Sequence, residues 1–494
     1  MSKLASLAKE TVIYGVSSIV GRFLNYLLVP MYVSVMAVES GGYGVVTNIY
    51  AFVALFLVLL TYGMETGFFR FMNKEKENQQ VYSSILISVG ITSLLFILLC
   101  LTFLQPISSF LGYTDYPSFI GMMAIVVALD AFQSIPFAYL RYKRRPIKFA
   151  GIKLFIIALN IFLNFFFLIW CPKLVLLFPD LFVWYDPSFQ AGYVFFANLI
   201  TSSLQLLFFI PELKEIRHGF NKPLMKRILR YSFPILILGI AGILNQTIDK
   251  IIFPFLFSDG NEARVQLGIY GAASKIAMIM AMFTQAFRYA YEPFVFGEDK
   301  KSDSGKMYAS AMKYFIIFAL LAFLIVMFYL DLLKYIITPG YWEGLKVVPI
   351  VMGAELLMGI YFNLSFWYKL IDETKWGAYF SLVGCVVIVL LNIIFVPQYG
   401  YIASAWSGLI GYLVVTILSY VVGQKKYPIP YDIKGIFFYF LLACSLSVAG
   451  KYVIIDNLWL RLGYRTLLLT VFLVYLVKKD LPLRNIPIIN RFIK

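Results

Sequence analysis

Residues 11–35 read TVIYGVSSIVGRFLNYLLVPMYVSV, and Arg22 is the one charge in that run. About 20 apolar residues suffice for a helix to cross a bilayer, so the stretch is long enough to span one. A cation near the centre of such a helix costs roughly 2.5 to 3.5 kcal/mol on insertion scales and therefore needs a compensating anion. The run exceeds the apolar core of a signal peptide and no small-residue cleavage site follows it, so it reads as the first membrane helix of the mature protein.

The rest of the chain has the same character. Of its 494 residues, 61% are hydrophobic and only 14% charged, with a mean hydropathy of +0.82. That balance excludes a soluble globular protein. Apolar runs begin near residues 11, 45, 81, 118, 148, 192, 231, 266, 308, 346, 376, 402, 434 and 463, which predicts an all-α integral membrane protein of about fourteen transmembrane helices. The four cysteines, Cys100, Cys171, Cys385 and Cys444, fall in or beside these spans without close pairing, as small apolar packers do. His218 is the single histidine and lies in a basic loop. Histidine-ligated metal chemistry is thereby excluded, and no protein-borne cofactor is expected.

The net charge of +16 is distributed unevenly. Lys and Arg crowd into alternate connections: Lys3 and Lys9, Arg70 to Lys76, Arg141 to Lys148, Lys214 to Arg230, Lys300 to Lys306, Lys369 and Lys375, Lys425 to Lys434, and the tail after Val477. The other connections hold only Lys173, Arg264, Lys334, Lys346, Lys451 and Arg461. Because basic loops stay in the cytoplasm, both termini are expected there. The charge serves inner-leaflet anchoring and not nucleic-acid binding.

A weak internal repeat runs through the chain. Sliding the sequence by about half its length sets Tyr43-Gly44 on Tyr270-Gly271, Tyr62 on Tyr289, Glu65 on Glu292 and Arg22 on Asp249; a neighbouring register sets Arg141 on Lys369 and Leu163-Asn164 on Leu391-Asn392. Repeats whose first helices enter from the same side suit two parallel, pseudo-symmetric six-helix lobes, 1–217 and 218–424, with substrate held between them near mid-membrane. Residues 425–494 then add two further helices and a cytoplasmic tail.

Tyr231-Ser232-Phe233-Pro234, Thr247-Ile248-Asp249-Lys250-Ile251 and Leu267 through Ile276, LGIYGAASKI, follow one another in an order and spacing that resemble the middle of polysaccharide exporters. Gly21-Arg22 through Pro30, Tyr43-Gly44 and Arg70 resemble the opening of the same family. These proteins, O-antigen (Wzx-type) flippases among them, belong to the multidrug/oligosaccharidyl-lipid/polysaccharide (MOP) superfamily. The resemblance implies a MATE-like fold. It also implies flipping of polyprenyl-diphosphate-linked oligosaccharides across a bacterial inner membrane by alternating access, alongside membrane lipids and other polysaccharide assembly proteins.

A diphosphate head group crossing a low-dielectric core needs cations in a water-accessible cavity. Arg22, Lys250, Lys275 and Arg288 are the candidates. Arg22 can grip phosphate bidentately, whereas Lys250 and Lys275 act as point charges. An internal bridge, for instance Arg22 with Asp249, is the competing reading. Lys153, Lys313 and Arg465 sit close enough to helix ends to snorkel to the interface. Of the acids in spans, Asp130 and Glu355 are the deepest, with Glu65 and Glu292 near inner ends. Each either couples transport to H+ or Na+ or neutralises a neighbouring cation. No G-x-x-x-x-G-K-[ST] phosphate loop is present, so ATP is not hydrolysed by that route. Membrane potential is the other energy source.

Three alternatives stay open. A lipid II flippase shares the fold and the anionic substrate. A multidrug or cation antiporter of the superfamily would want a cavity dominated by carboxylates. A membrane glycan polymerase or ligase would want catalytic groups in a large outer loop, and the longest, about Cys171 to Gln190, carries only Lys173, Asp180 and Asp186 as charges.

Overall fold

The computed structural model describes residues 20–21, 23–24, 26–75, 78–297, 304–453 and 455–481. Its α-helices of eight residues or more are α1 (Leu28–Val35), α2 (Gly42–Thr61), α3 (Met64–Lys74), α4 (Asn78–Thr102), α5 (Pro117–Tyr142), α6 (Pro146–Phe165), α7 (Gln190–Leu207), α8 (Lys222–Ile252), α9 (Gly260–Gly297), α10 (Ser304–Phe328), α11 (Val348–Leu364), α12 (Lys375–Tyr399), α13 (Tyr401–Lys426), α14 (Ile433–Tyr452) and α15 (Leu458–Lys479). No strand occurs among the described residues.

Twelve described stretches are long and apolar enough to cross a membrane, and a thirteenth passage is bent by 58° between Pro187–Leu207 and Ile210–His218. They start close to thirteen of the expected positions. The remaining expected span, from residue 11, falls mostly outside the described residues, where α1 is its described end. The largest difference is α8, which begins at Lys222 instead of near residue 231. Asn221 caps it by accepting the Leu224 amide at 3.0 Å, and the basic first turns extend the helix beyond the hydrocarbon.

α2 and α3 form one passage with a break. Tyr62 has φ +30° and Gly63 φ +73°, the left-handed region that favours glycine. A Cβ on Gly63 would stand 2.9 Å from the Ser232 carbonyl, so both the turn and the close approach of α8 call for a residue without a side chain.

The chain divides into two compact units, one of Met1–Ala272 with Ser381–Ser407, the other of Ala273–Phe380 with Gly408–Lys494. In the first, Phe68, Phe71, Tyr82, Ile85, Ile135, Tyr139 and Ile228 form a buried cluster where α3, α4, α5 and α8 meet. The Tyr82 and Tyr139 rings stack there at 4.2 Å. At the basic end, Glu212 is buried and receives Lys148 at 2.7 Å, while Arg227 meets Glu75 at 3.1 Å.

In the second unit, Trp367, Tyr368, Phe380 and Val415 pack together, and ion clusters tie α10 to α14 and α15. Lys313 of α10 reaches Asp432 at 2.8 Å and also Asp480. Tyr439 donates to Asp480 at 2.6 Å. Hydrogen bonds from Lys313 and the Gly435 amide hold the Asp432 carboxyl below its ordinary range. At the far end Asp331 takes Arg461 at 2.9 Å and Arg465 at 2.8 Å, and Arg465 donates to the Phe328 carbonyl at 3.0 Å. Lys313 and Arg465, expected to snorkel to the interface, each also end on a carboxylate. Their partners lie more than a hundred residues away in sequence, out of reach of any local pattern. Lys153 lies over the Phe137 and Phe149 rings at 5.1 and 5.2 Å.

Replacing Asp480 by Asn removes the charge that both Lys313 and Tyr439 use, at a cost of about 1.5 to 3 kcal/mol. A clear fall in the thermal midpoint of the purified protein is expected. Glu343→Gln, in an exposed pair with Lys346, should change it little.

Candidate functional site

At the end of the first unit opposite the basic loops, α2, α8 and α9 converge. α8 carries Asp249, buried, and Lys250 beside it. Lys250 Nζ contacts both Asp249 carboxylate oxygens at 2.9 and 3.0 Å, and Tyr270 of α9 donates to Asp249 at 2.8 Å. Asn48 of α2 donates to the Lys250 carbonyl at 2.7 Å and accepts from Tyr113 at 2.8 Å. Arg264 sits over the Tyr113 ring at 5.4 Å and donates to the Gly112 carbonyl. Lys250 is thus engaged locally, by its sequence neighbour. Arg22, the proposed phosphate ligand and bridge partner of Asp249, lies outside the described residues.

The same place shows how closely α2 and α9 approach. A methyl on Gly44 would overlap the Arg264 carbonyl and stand 3.0 Å from the Gly268 nitrogen, and one on Gly271 would run into Thr47. Tyr43-Gly44 and Tyr270-Gly271, which the repeat superimposes, therefore lie in one helix crossing. Small residues permit such contact between backbones in a membrane.

Deeper in this unit a polar ladder crosses five helices. Tyr32 donates to Asn164 at 3.0 Å, Asn164 to Asn160 at 3.0 Å, Asn160 to Asn198 and Thr201 at 3.3 Å each, and Asn198 to the Tyr50 oxygen at 2.6 Å. Ser202 donates to Asp130 at 2.8 Å, and Gln133 to the Ser202 carbonyl at 2.8 Å. Sequence reading finds Asp130 but not the amides around it, which besides Gln133 of α5 come from α6 and α7. Their spacing of three or four residues on those helices is the available signal. Glu65, the second acid singled out in this unit, is ion-paired with Arg141.

In the second unit two cations lie against one aromatic ring. Arg288 of α9 lies 4.5 Å from the centre of the Phe362 ring, and Lys369 lies 4.9 Å from the same centre. α9 and α11 meet here, where a Cβ on Gly359 would approach Thr284 Oγ1 to 3.0 Å. Thr284 and Arg288 are one turn apart on α9; Gly359 and Phe362 are likewise one turn apart on α11. Glu355, half-buried, shares the Phe362 face two turns away. Lys275 is half-buried on α9 next to Ser274. The side chain of Glu292 lies outside the described residues. Sequence reading counts Lys369 only as a loop charge, although the repeat sets it on Arg141.

The α2–α9 crossing makes a direct forecast. Gly44→Val should lower stability by about 1 to 3 kcal/mol, as overpacking does. Gly242→Val, where no atom stands within 4 Å, is expected to leave the thermal midpoint nearly unchanged.

The fold matches solved membrane transporters. A lipid II flippase, MurJ, in an inward closed conformation superimposes with a TM-score of 0.71 over 95% of this chain and 99% of that one, at 14% identity. An inward-facing multidrug resistance MATE family transporter of the MOP superfamily gives 0.61 over 81% and 93%, at 15% identity. A MATE protein in the straight conformation gives 0.56 over 85% and 95%, at 15%. At these identities the likeness establishes the fold, which is the MATE-like one expected. No curated protein sequence matches the chain. Residues 7–290 match the family described as polysaccharide biosynthesis protein, and by that match the chain belongs to this family.

Proposed function

We propose that the chain is a flippase that carries polyprenyl-diphosphate-linked oligosaccharide units from the cytoplasmic to the outer leaflet of the bacterial inner membrane. In this reading lobes 1–217 and 218–424 alternate access, and both termini are cytoplasmic. The observation that carries it is the convergence of Arg288 and Lys369 on the Phe362 ring, in a member of a polysaccharide biosynthesis family. A ring face stabilises a cation by roughly 0.5 to 2 kcal/mol. Two cationic side chains beside one ring suit a diphosphate, which Arg288 can grip bidentately while Lys369 and Lys275 add point charges. Lys250, which contacts Asp249, stays a candidate beside them.

Coupling to H+ or Na+ falls to Asp130 or Glu355. Glu65 is committed to Arg141, whereas Asp130 accepts from the neutral Ser202 hydroxyl. The membrane potential also helps: with the interior negative, each full negative charge moved outward gains about 2.3 kcal/mol per 100 mV. Flipping in proteoliposomes is therefore expected to slow when the potential is collapsed; an unchanged rate would remove the potential as a driving force.

Mass spectrometry of lipid-linked sugars in cells lacking the gene, combined with a membrane-impermeant probe, tests the main reading. Single diphosphate-linked units trapped on the inner face are expected. Units exposed outside but unpolymerised would instead indicate a polymerase or ligase, and no accumulation would favour a drug or cation antiporter. Accumulation of the peptidoglycan precursor alone would indicate lipid II as the cargo.

A further inference from the structure

The connection between α6 and α7 is folded, apolar and outward-facing. α6 continues through a π-helical turn, Phe166–Trp170, into Cys171–Leu177, and short 3-10 turns follow at Pro179–Leu181 and Pro187–Phe189. The passage Pro146–Leu177 is 32 residues long, about 48 Å at the usual rise, well beyond a hydrocarbon core of roughly 30 Å. The π turn lies about where that core ends, and such turns commonly bend helices.

The base of the segment is rigid. Tyr185 stacks on Tyr193 at 4.8 Å and Tyr193 on Phe167 at 5.4 Å. The Tyr185 hydroxyl donates to the Phe167 carbonyl at 2.9 Å, and the Asp186 amide donates to the Tyr193 oxygen at 2.8 Å. From this base the tip turns large apolar side chains outward: Leu176 is 84% exposed and Val183 83%, with Leu177, Leu181 and Trp184 also more than half exposed. Between residues 166 and 190 the only charges are Lys173, Asp180 and Asp186.

Toward water, such a ridge would be an unusual apolar patch. Its backbone is prepared for another setting. The amides of Phe178, Leu181, Phe182 and Tyr185 donate to the carbonyls of Leu174, Phe178, Pro179 and Phe182 within the segment, which is what a chain leaving water requires. Trp and Tyr beside aliphatic residues match the composition of a membrane interface. The segment stands opposite the basic turn Arg141–Lys148, at the other end of α6.

We propose that residues 174–184 form an interfacial paddle, a folded loop whose Leu176, Leu181, Val183 and Trp184 insert between head groups and acyl chains of the leaflet opposite the basic loops. Its partner is the lipid bilayer. The inference rests on the chain crossing a membrane and is independent of which substrate is moved.

The full chain, with Cys100, Cys171, Cys385 and Cys444 replaced by Ala, would be spin-labelled at Leu181→Cys or Val183→Cys, and at Ser188→Cys as a polar reference, in phosphatidylethanolamine/phosphatidylglycerol vesicles. At 181 and 183 molecular oxygen should relax the label several-fold more than a water-soluble nickel chelate, with the order reversed at 188. Greater access to nickel at 181 and 183 would overturn the proposal by placing the tip in water. Low access to both reagents would overturn it in favour of a protein-covered surface. A second readout keeps the native cysteines: Trp184→Phe should reduce the tryptophan fluorescence quenched by lipids brominated near the head group, and an unchanged quenched fraction would also reject insertion.

Discussion

Hydrocarbon offers no partner to a charge or to a free backbone amide, and the described structure is largely a set of responses to that constraint. Within the first unit the answers include Arg141 with Glu65, Lys148 with Glu212, and Lys250 with Asp249. In the second they are Lys313 with Asp432 and Asp480, and Asp331 with Arg461 and Arg465. These pairs cluster near helix ends, where residual water lowers the cost of desolvation and a single lost partner is still expensive. In the first unit a deeper ladder of amides and hydroxyls beside Asp130 is arranged so that each described donor from Tyr32 to Tyr50 meets an acceptor.

The ion pairs do more than neutralise charge. α14 and α15, which the repeat leaves over, are tied to α10 at both of its ends, by Lys313 near one and by Asp331 just past the other. Apolar faces of membrane helices slide past one another with little preference, because lipid is as apolar as Leu. Charged contacts at two levels fix depth and rotation together, so these helices hold a defined position within their unit.

Much of the architecture was legible in the sequence because hydrophobic length is a direct physical requirement of a bilayer. Thirteen expected spans have described counterparts, and the family resemblance drawn from the Asp249 and LGIYGAASKI segments agrees with the family match. What local pattern could not provide was the partner of each charge. Lys313 and Arg465 looked able to snorkel because distance to a helix end is visible in sequence, whereas Asp480 and Asp331 are near only after folding. The break at Tyr62–Gly63 and the π turn at Phe166–Trp170 were likewise invisible, since both sit inside continuous apolar runs. The repeat gave Tyr43-Gly44 and Tyr270-Gly271 as equivalents, yet equivalence says nothing of contact. Their shared crossing emerges from the backbone approach that glycine allows.

The way a cation is stabilised bears on what it can bind. A carboxylate partner, as Asp249 is for Lys250, cancels the charge and must be displaced before an anion can take its place. An aromatic ring adds a different kind of contact, the attraction of a cation to its quadrupole. Arg288 and Lys369 both make that contact with Phe362. Under the proposed function the sign of the interaction matters more than shape: a diphosphate brought to these two side chains would be attracted by them, and a cationic drug would be repelled.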